Sequence, residues 1–177
     1  MAVDHVKSTP ITNLDATPRV ANTAGEGGSA PLIFADGYAT ALASSSADAT
    51  YQLVRVPWTA KIKCIVFESE AQAAGKFDLG VYHATDGSSG GATALLAAAA
   101  VDQDFFATVI DCASAVLETI VTNESATYTL DKRTQPLWQA AGLTTNPGGN
   151  ADIVATVKTT AVTTGTGKFG IKVWYTT

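Results

Sequence analysis

The chain of 177 residues carries 11 Lys and Arg against 16 Asp and Glu, a net charge of −5, and no basic cluster longer than Lys132-Arg133, which argues against nucleic-acid binding. Charged residues make up only 15% and hydrophobic ones 46%, so the surface must be built from Thr, Ser, Ala and Gly or be covered by partners. No apolar run approaches the ~20 residues that span a bilayer. Residues 1–10, which include Asp4, His5 and Lys7, lack the apolar stretch of a signal peptide, so a protein made in the cytoplasm is expected, with no membrane partner.

Residues 1–50 read as an extended N-terminal arm. Pro10, Pro18 and Pro31 punctuate them, Gly25-Glu26-Gly27-Gly28-Ser29 breaks any regular element, and no helix or strand period lasts more than a few positions. From Tyr51 onward an alternating pattern takes over, and residues 51–177 read as one β-domain. Residues 51–56 predict a strand stopped by Pro57. Residues 60–68 predict a second, with Ile62, Cys64 and Val66 on one face and Lys61 and Lys63 on the other. Residues 76–83 predict a third, with Phe77, Leu79 and Val81 opposite Asp78, Gly80 and Tyr82. Asp86-Gly87-Ser88-Ser89-Gly90-Gly91 is a loop by composition.

Residues 93–108 mix an alanine run with Val101-Asp102-Gln103-Asp104-Phe105-Phe106, and predict a short helix or a covering loop. Residues 114–121 and 126–130 predict short strands. Residues 131–142 predict a helix, with Asp131 as N-cap, Pro136 in its first turn and Gly142 just past its end. Asn146-Pro147-Gly148-Gly149 is a turn. Residues 152–159 and 168–175 alternate and predict a terminal hairpin through a Thr/Gly loop. The sum is a mainly β chain: an antiparallel β-sandwich, jelly-roll-like, with one or two short helices and the N-terminal arm.

Candidates for chemistry are few. Of the two histidines, His5 lies in the arm and His83 ends a strand as an exposed residue. No nucleophile elbow, zinc-protease motif or Cys-x-x-Cys occurs. Gly165-Thr166-Gly167-Lys168 fails the phosphate-loop spacing and reads as a turn. Asp102-Gln103-Asp104 lacks the oxygens a hard cation needs, and the neighbouring phenylalanines favour packing. Glu68, Glu70 and Asp78 offer carboxylates for glycoside hydrolysis but read as solvated faces. Trp58, Trp138 and Trp174 offer a sugar platform; the preferred reading is Trp138 in the core and Trp58 and Trp174 part-buried or in an interface. Cys64 and Cys112 read as buried, reduced thiols, with a disulfide as the alternative. No catalytic, cofactor-binding or metal residues are assigned, and no enzyme activity is expected.

A set of segments in order resembles a family of tailed-phage structural proteins. They are Leu53-Val54-Arg55-Val56-Pro57, Phe77-Asp78-Leu79-Gly80-Val81-Tyr82 and Asp104-Phe105-Phe106-Ala107, followed by Gln135-Pro136-Leu137-Trp138-Gln139-Ala140-Ala141-Gly142-Leu143, Asn146-Pro147-Gly148-Gly149 and the Thr-rich end. The resemblance implies a virion protein on the capsid surface, a head decoration or cement protein that binds the major capsid protein. It carries no catalytic residues to this chain. Shells of this kind follow local symmetry, so a homo-oligomer, a trimer, is expected. The alternative is a carbohydrate-binding β-sandwich of a phage tail or tailspike.

Overall fold

The structure, a computed structural model, describes residues 16–18, 20, 30–42, 45, 47–72, 75–84, 100–158 and 167–177. His5, the Gly25–Ser29 stretch, the 86–91 loop and most of the Thr/Gly segment before Gly167 lie outside them. Among the described residues, eight strands form two four-stranded antiparallel sheets. In chain order they are β1 (Ile33–Thr40), β2 (Thr50–Pro57), β3 (Lys61–Ser69), β4 (Lys76–His83), β5 (Ala100–Asp111), β6 (Val116–Ile120), β7 (Asn150–Val157) and β8 (Lys168–Thr176). Sheet A has the order β1-β8-β3-β6 and sheet B the order β2-β7-β4-β5. Strand 1 thus pairs with 8, 2 with 7, 3 with 6 and 4 with 5, as in a long hairpin rolled over itself. This is the strand order of a jelly roll.

The topology revises several sequence expectations. β7 and β8 do not form a hairpin: β7 pairs with β2 and β4 in sheet B, while β8 pairs with β1 and β3 in sheet A. Alternation identifies two strands and their inward faces, but pairing is set by partners far away in sequence. Ile33–Thr40, placed in the arm by the sequence reading, is a full strand at the edge of sheet A. Its neighbour positions Ala35, Gly37 and Ala39 are too small to give a visible apolar period. Ala100–Asp111 is a twelve-residue strand, not a helix or loop. Its ladder with β4 is interrupted by irregularities that hide the alternation. Residues 126–130 form turns rather than a strand.

The sandwich core joins the sheets through aromatic rings. Phe77 of β4 and Phe169 of β8 stack at 4.6 Å between centroids, and Tyr51 of β2 meets Phe169 edge-on at 5.1 Å. Phe67, Leu79, Val81, Ile153, Ile171 and Val173 are buried around them. At ~1.5–3 kcal/mol for each large side chain fully buried, this layer outweighs any surface interaction in the molecule. A second cluster closes one end: Phe105, Phe106 and Tyr128 lie within 4.9–5.3 Å of one another. The Tyr128 hydroxyl donates to the Ile62 carbonyl at 2.8 Å, so the ring is buried without an orphaned polar atom.

The expected helix is split. Asp131–Thr134 forms a 3-10 turn and Leu137–Ala140 a single α-turn, α1, because Pro136 offers no amide hydrogen to continue the first into the second. Asp131 accepts a hydrogen bond from the Thr129 hydroxyl rather than capping the helix. Gly142, at φ +79°, ends α1 as expected. The Gly142 amide donates to Gln139 and the Leu143 amide to Trp138, each at 3.0 Å, the paired bonds of a Schellman ending. The turn is docked by Leu137 N–H on the Ala60 carbonyl at 2.8 Å and Trp138 N–H on that of Trp58 at 3.2 Å.

Candidate interaction surface

The structure separates the groups that hydrolytic chemistry would need to converge. Glu68 lies on β3 of sheet A and Glu70 just past the end of that strand. Asp78 lies on sheet B and is fully buried, not solvated as its alternating position suggests. It accepts from the Val109 amide and from the Lys158 ammonium, each at 2.9 Å. β4 is buried on both faces between Phe77 and Tyr82, which explains why its polar face is not a surface. Tyr82 bonds Thr156 at 2.7 Å, and the Asp152 carboxylate, also buried, is forked by Arg55 at 2.6 and 2.8 Å. These are structural pairs that satisfy a covered polar layer on sheet B.

Asp102 and Asp104 are neighbours, with the Asp104 amide donating to the Asp102 carboxylate at 3.3 Å. Burial, then the hydrogen bond shared with Asp104, raises the Asp102 pKa above the carboxylate norm. Among the described residues no group of three or more His, Cys, Asp and Glu side chains is placed to hold a metal ion. No helix formed by the described residues is long and apolar enough to cross a membrane. His83 is exposed at the end of β4, 5.2 Å from the Trp58 ring.

The tryptophans do not make a platform. Trp58 is 1% exposed and belongs to the core, contrary to the interface position expected for it. Trp138 is half-buried against that core, and Trp174 is half-buried on the outer face of sheet A. Neither cysteine is bonded to the other. Cys112 is buried, and burial pushes its thiol up to about 11. Cys64, expected inside, lies half-exposed because the ladder of β3 with β8 slips between Ile62 and Cys64. That irregularity turns Ile65 and Phe67 inward with Ile62, and Cys64 and Val66 outward.

The slip leaves the outer face of sheet A unusually apolar. Register places Phe34, Trp174 and Cys64 in one row and Asp36, Lys172, Val66 and Ile120 in the next. Tyr38, Gly170 and Glu68 form the third. Phe34 and Trp174 touch at 5.2 Å between centroids. Gly170 is required under Tyr38, since a Cβ there would collide with the Gly37 carbonyl and the Tyr38 side chain. The missing side chain opens a groove of about 500 Å³ between Tyr38 and Lys168 on one wall and Ala115, Val116 and Leu117 on the other. Glu68 and Glu70 lie along it. Tyr38 is 75% exposed, Leu117 85% and Ile120 69%, too much apolar surface in one place for scattered surface residues. Alternation hid this surface, because the sequence reading turned Cys64 and Val66 inward; the run Val116-Leu117-Glu118-Thr119-Ile120 was its visible signal.

No protein-family model and no curated protein matches the sequence. A chain in the capsid of Ralstonia phage GP4 matches the structure with a TM-score of 0.58 at 14% identity, over 89% of this chain and 88% of that one. A chain in the capsid asymmetric unit of cyanophage Pam1 matches with a TM-score of 0.50 at 13% identity, over 92% of this chain and 96% of that one. The fold is one found in phage capsids. At these identities the likeness is one of fold alone.

Proposed function

We propose that this chain is a structural protein of a phage virion, a decoration or cement protein that binds the capsid lattice and stabilises the shell. The observation that carries the reading is the likeness of fold over nearly the full length of both chains to capsid components of two phages. Two features of the molecule support it. The carboxylates and His83 are dispersed over different sheets and strand ends, so the described residues bring no acid, base and nucleophile together. The outer face of sheet A offers apolar and charged groups in the mixture that protein interfaces use.

In this reading sheet A faces the major capsid protein, sheet B and the aromatic core supply stiffness, and residues N-terminal to β1 reach a neighbouring subunit. A trimer on local threefold positions is the proposed assembly. The carbohydrate-binding alternative is less well supported, since it needs exposed tryptophans on one face and Trp58 is in the core. The test is location. Purified particles separated into heads and tails, and analysed by mass spectrometry, should yield this chain with the heads at a fixed ratio to the major capsid protein. Recovery with tails alone would assign it to the other reading.

A further inference from the structure

The capsid reading leaves open what kind of segment the chain grips, and the edge of sheet A supplies an answer that rests on that reading. β6 pairs with β3 on one side and, among the described residues, has no strand partner on the other. Its sequence, Val-Leu-Glu-Thr-Ile, contains neither Lys nor Pro, the residues that normally blunt such an edge, and its last four residues are exposed. Leu117 and Ile120 stand out from it at 85% and 69% exposure. The groove beside β6 is open along the same direction, with Tyr38 as its far wall.

Charge selects the occupant. Among the described residues, Glu68, Glu70 and Glu118 are the carboxylates of the groove and the β6 edge and Lys168 and Lys172 the ammonium groups, with Asp36 a further exposed carboxylate across the face on β1. Both ammonium groups are engaged: Lys172 sits between Glu68 at 3.2 Å and Glu118 at 2.5 Å, and Lys168 lies 6.0 Å from the centre of the Tyr38 ring. Glu70 accepts the Lys168 backbone amide through one oxygen. Glu70 and Glu118 are exposed carboxylates with capacity for a further donor. We propose that the free edge of β6 and the adjoining groove take an extended segment of the capsid shell protein, added as a strand, that carries Lys or Arg beside an apolar side chain. The cation meets Glu70 and Glu118, and the apolar side chain covers Leu117 and Tyr38.

The experiment uses the full chain and shells stripped of it, with binding measured by sedimentation over a range of salt concentrations. Glu118→Lys should weaken binding about tenfold at low salt and flatten the salt dependence. Leu117→Ser, at a side chain 85% exposed, should weaken it about tenfold with the salt dependence kept. Asp111→Lys, the same charge change on sheet B, should stay within about twofold. If the unaltered chain binds shells and both β6 variants bind equally well with the same salt dependence, the groove is not the docking site. Failure of the unaltered chain to bind overturns the capsid reading and this proposal with it. Self-association of the free chain, lost in Leu117→Ser, would assign the edge to a second copy and overturn the proposal.

Discussion

Asp78, with no exposed surface, holds the ammonium of Lys158 at 2.9 Å and so ties the middle of sheet B to the end of β7. The same carboxylate accepts the amide of Val109, a β5 residue at φ +54°, a backbone conformation that a β-branched side chain rarely adopts. One buried carboxylate therefore fixes three strands. Asp78→Ala should lower unfolding stability by about 3 kcal/mol, because it removes the acceptor of the Val109 amide and breaks an ion pair made by a fully buried carboxylate. Lys158→Ala should cost less, about 1–2 kcal/mol, since that side chain is half in water and Val109 keeps its partner. Urea unfolding of both variants checks the order, and Asp78→Ala within experimental error of the unaltered chain would contradict it.

Alkaline pH should destabilise the fold from about pH 9 upward, below the range in which arginine titrates. Burial lifts Cys112 from 9.0 to about 11, and burial raises Tyr82 and Tyr128 as well. A group whose proton is held more tightly in the folded state contributes fully below its unfolded pKa and loses that contribution as pH rises through its folded value. For Cys112 the window runs from 9.0 to about 11. The urea midpoint should therefore fall between pH 8 and 10.5, and fall less in Cys112→Ala; a flat profile would contradict the burial assigned to these groups. A thiol reagent at pH 8 should modify Cys64 in the native protein and Cys112 only after unfolding.

Trp58→Ala should cost on the order of 3–5 kcal/mol, as expected for a large aromatic removed from a packed interior. Trp138→Ala should cost less, because that ring is half-buried and sits on α1. Calorimetry of the two variants orders them directly. Equal losses would mean that α1 contributes as much to the core as the β2–β3 turn does.

The sequence made the strands legible where one face is apolar and the other polar. Residues 76–83 match β4 end to end, and Pro57 stops β2 as expected. Three physical effects concealed the rest. β1 carries small inward residues, so it has no hydrophobic period. In β3 one irregularity reversed the faces, which placed Cys64 and Val66 on the wrong side and hid the apolar outer surface. β7 and β8 alternate alike, yet they belong to opposite sheets, because the partners of each are strands near the other end of the fold. Asp78 and Asp152 were legible as polar positions, but not as buried ones, since their burial comes from tertiary packing and their partners Lys158 and Arg55 are distant in sequence.

The most direct test of the structural role is the thermal rupture of phage shells as this protein is titrated back onto particles that lack it. A component that binds the assembled lattice and not its separated subunits stabilises the lattice by mass action. The rupture temperature should rise with occupancy, level off when the sites are filled, and fall back toward the bare-shell value with the Leu117→Ser chain at the same total concentration. A rupture temperature that stays constant from empty to saturated sites would contradict the cement role.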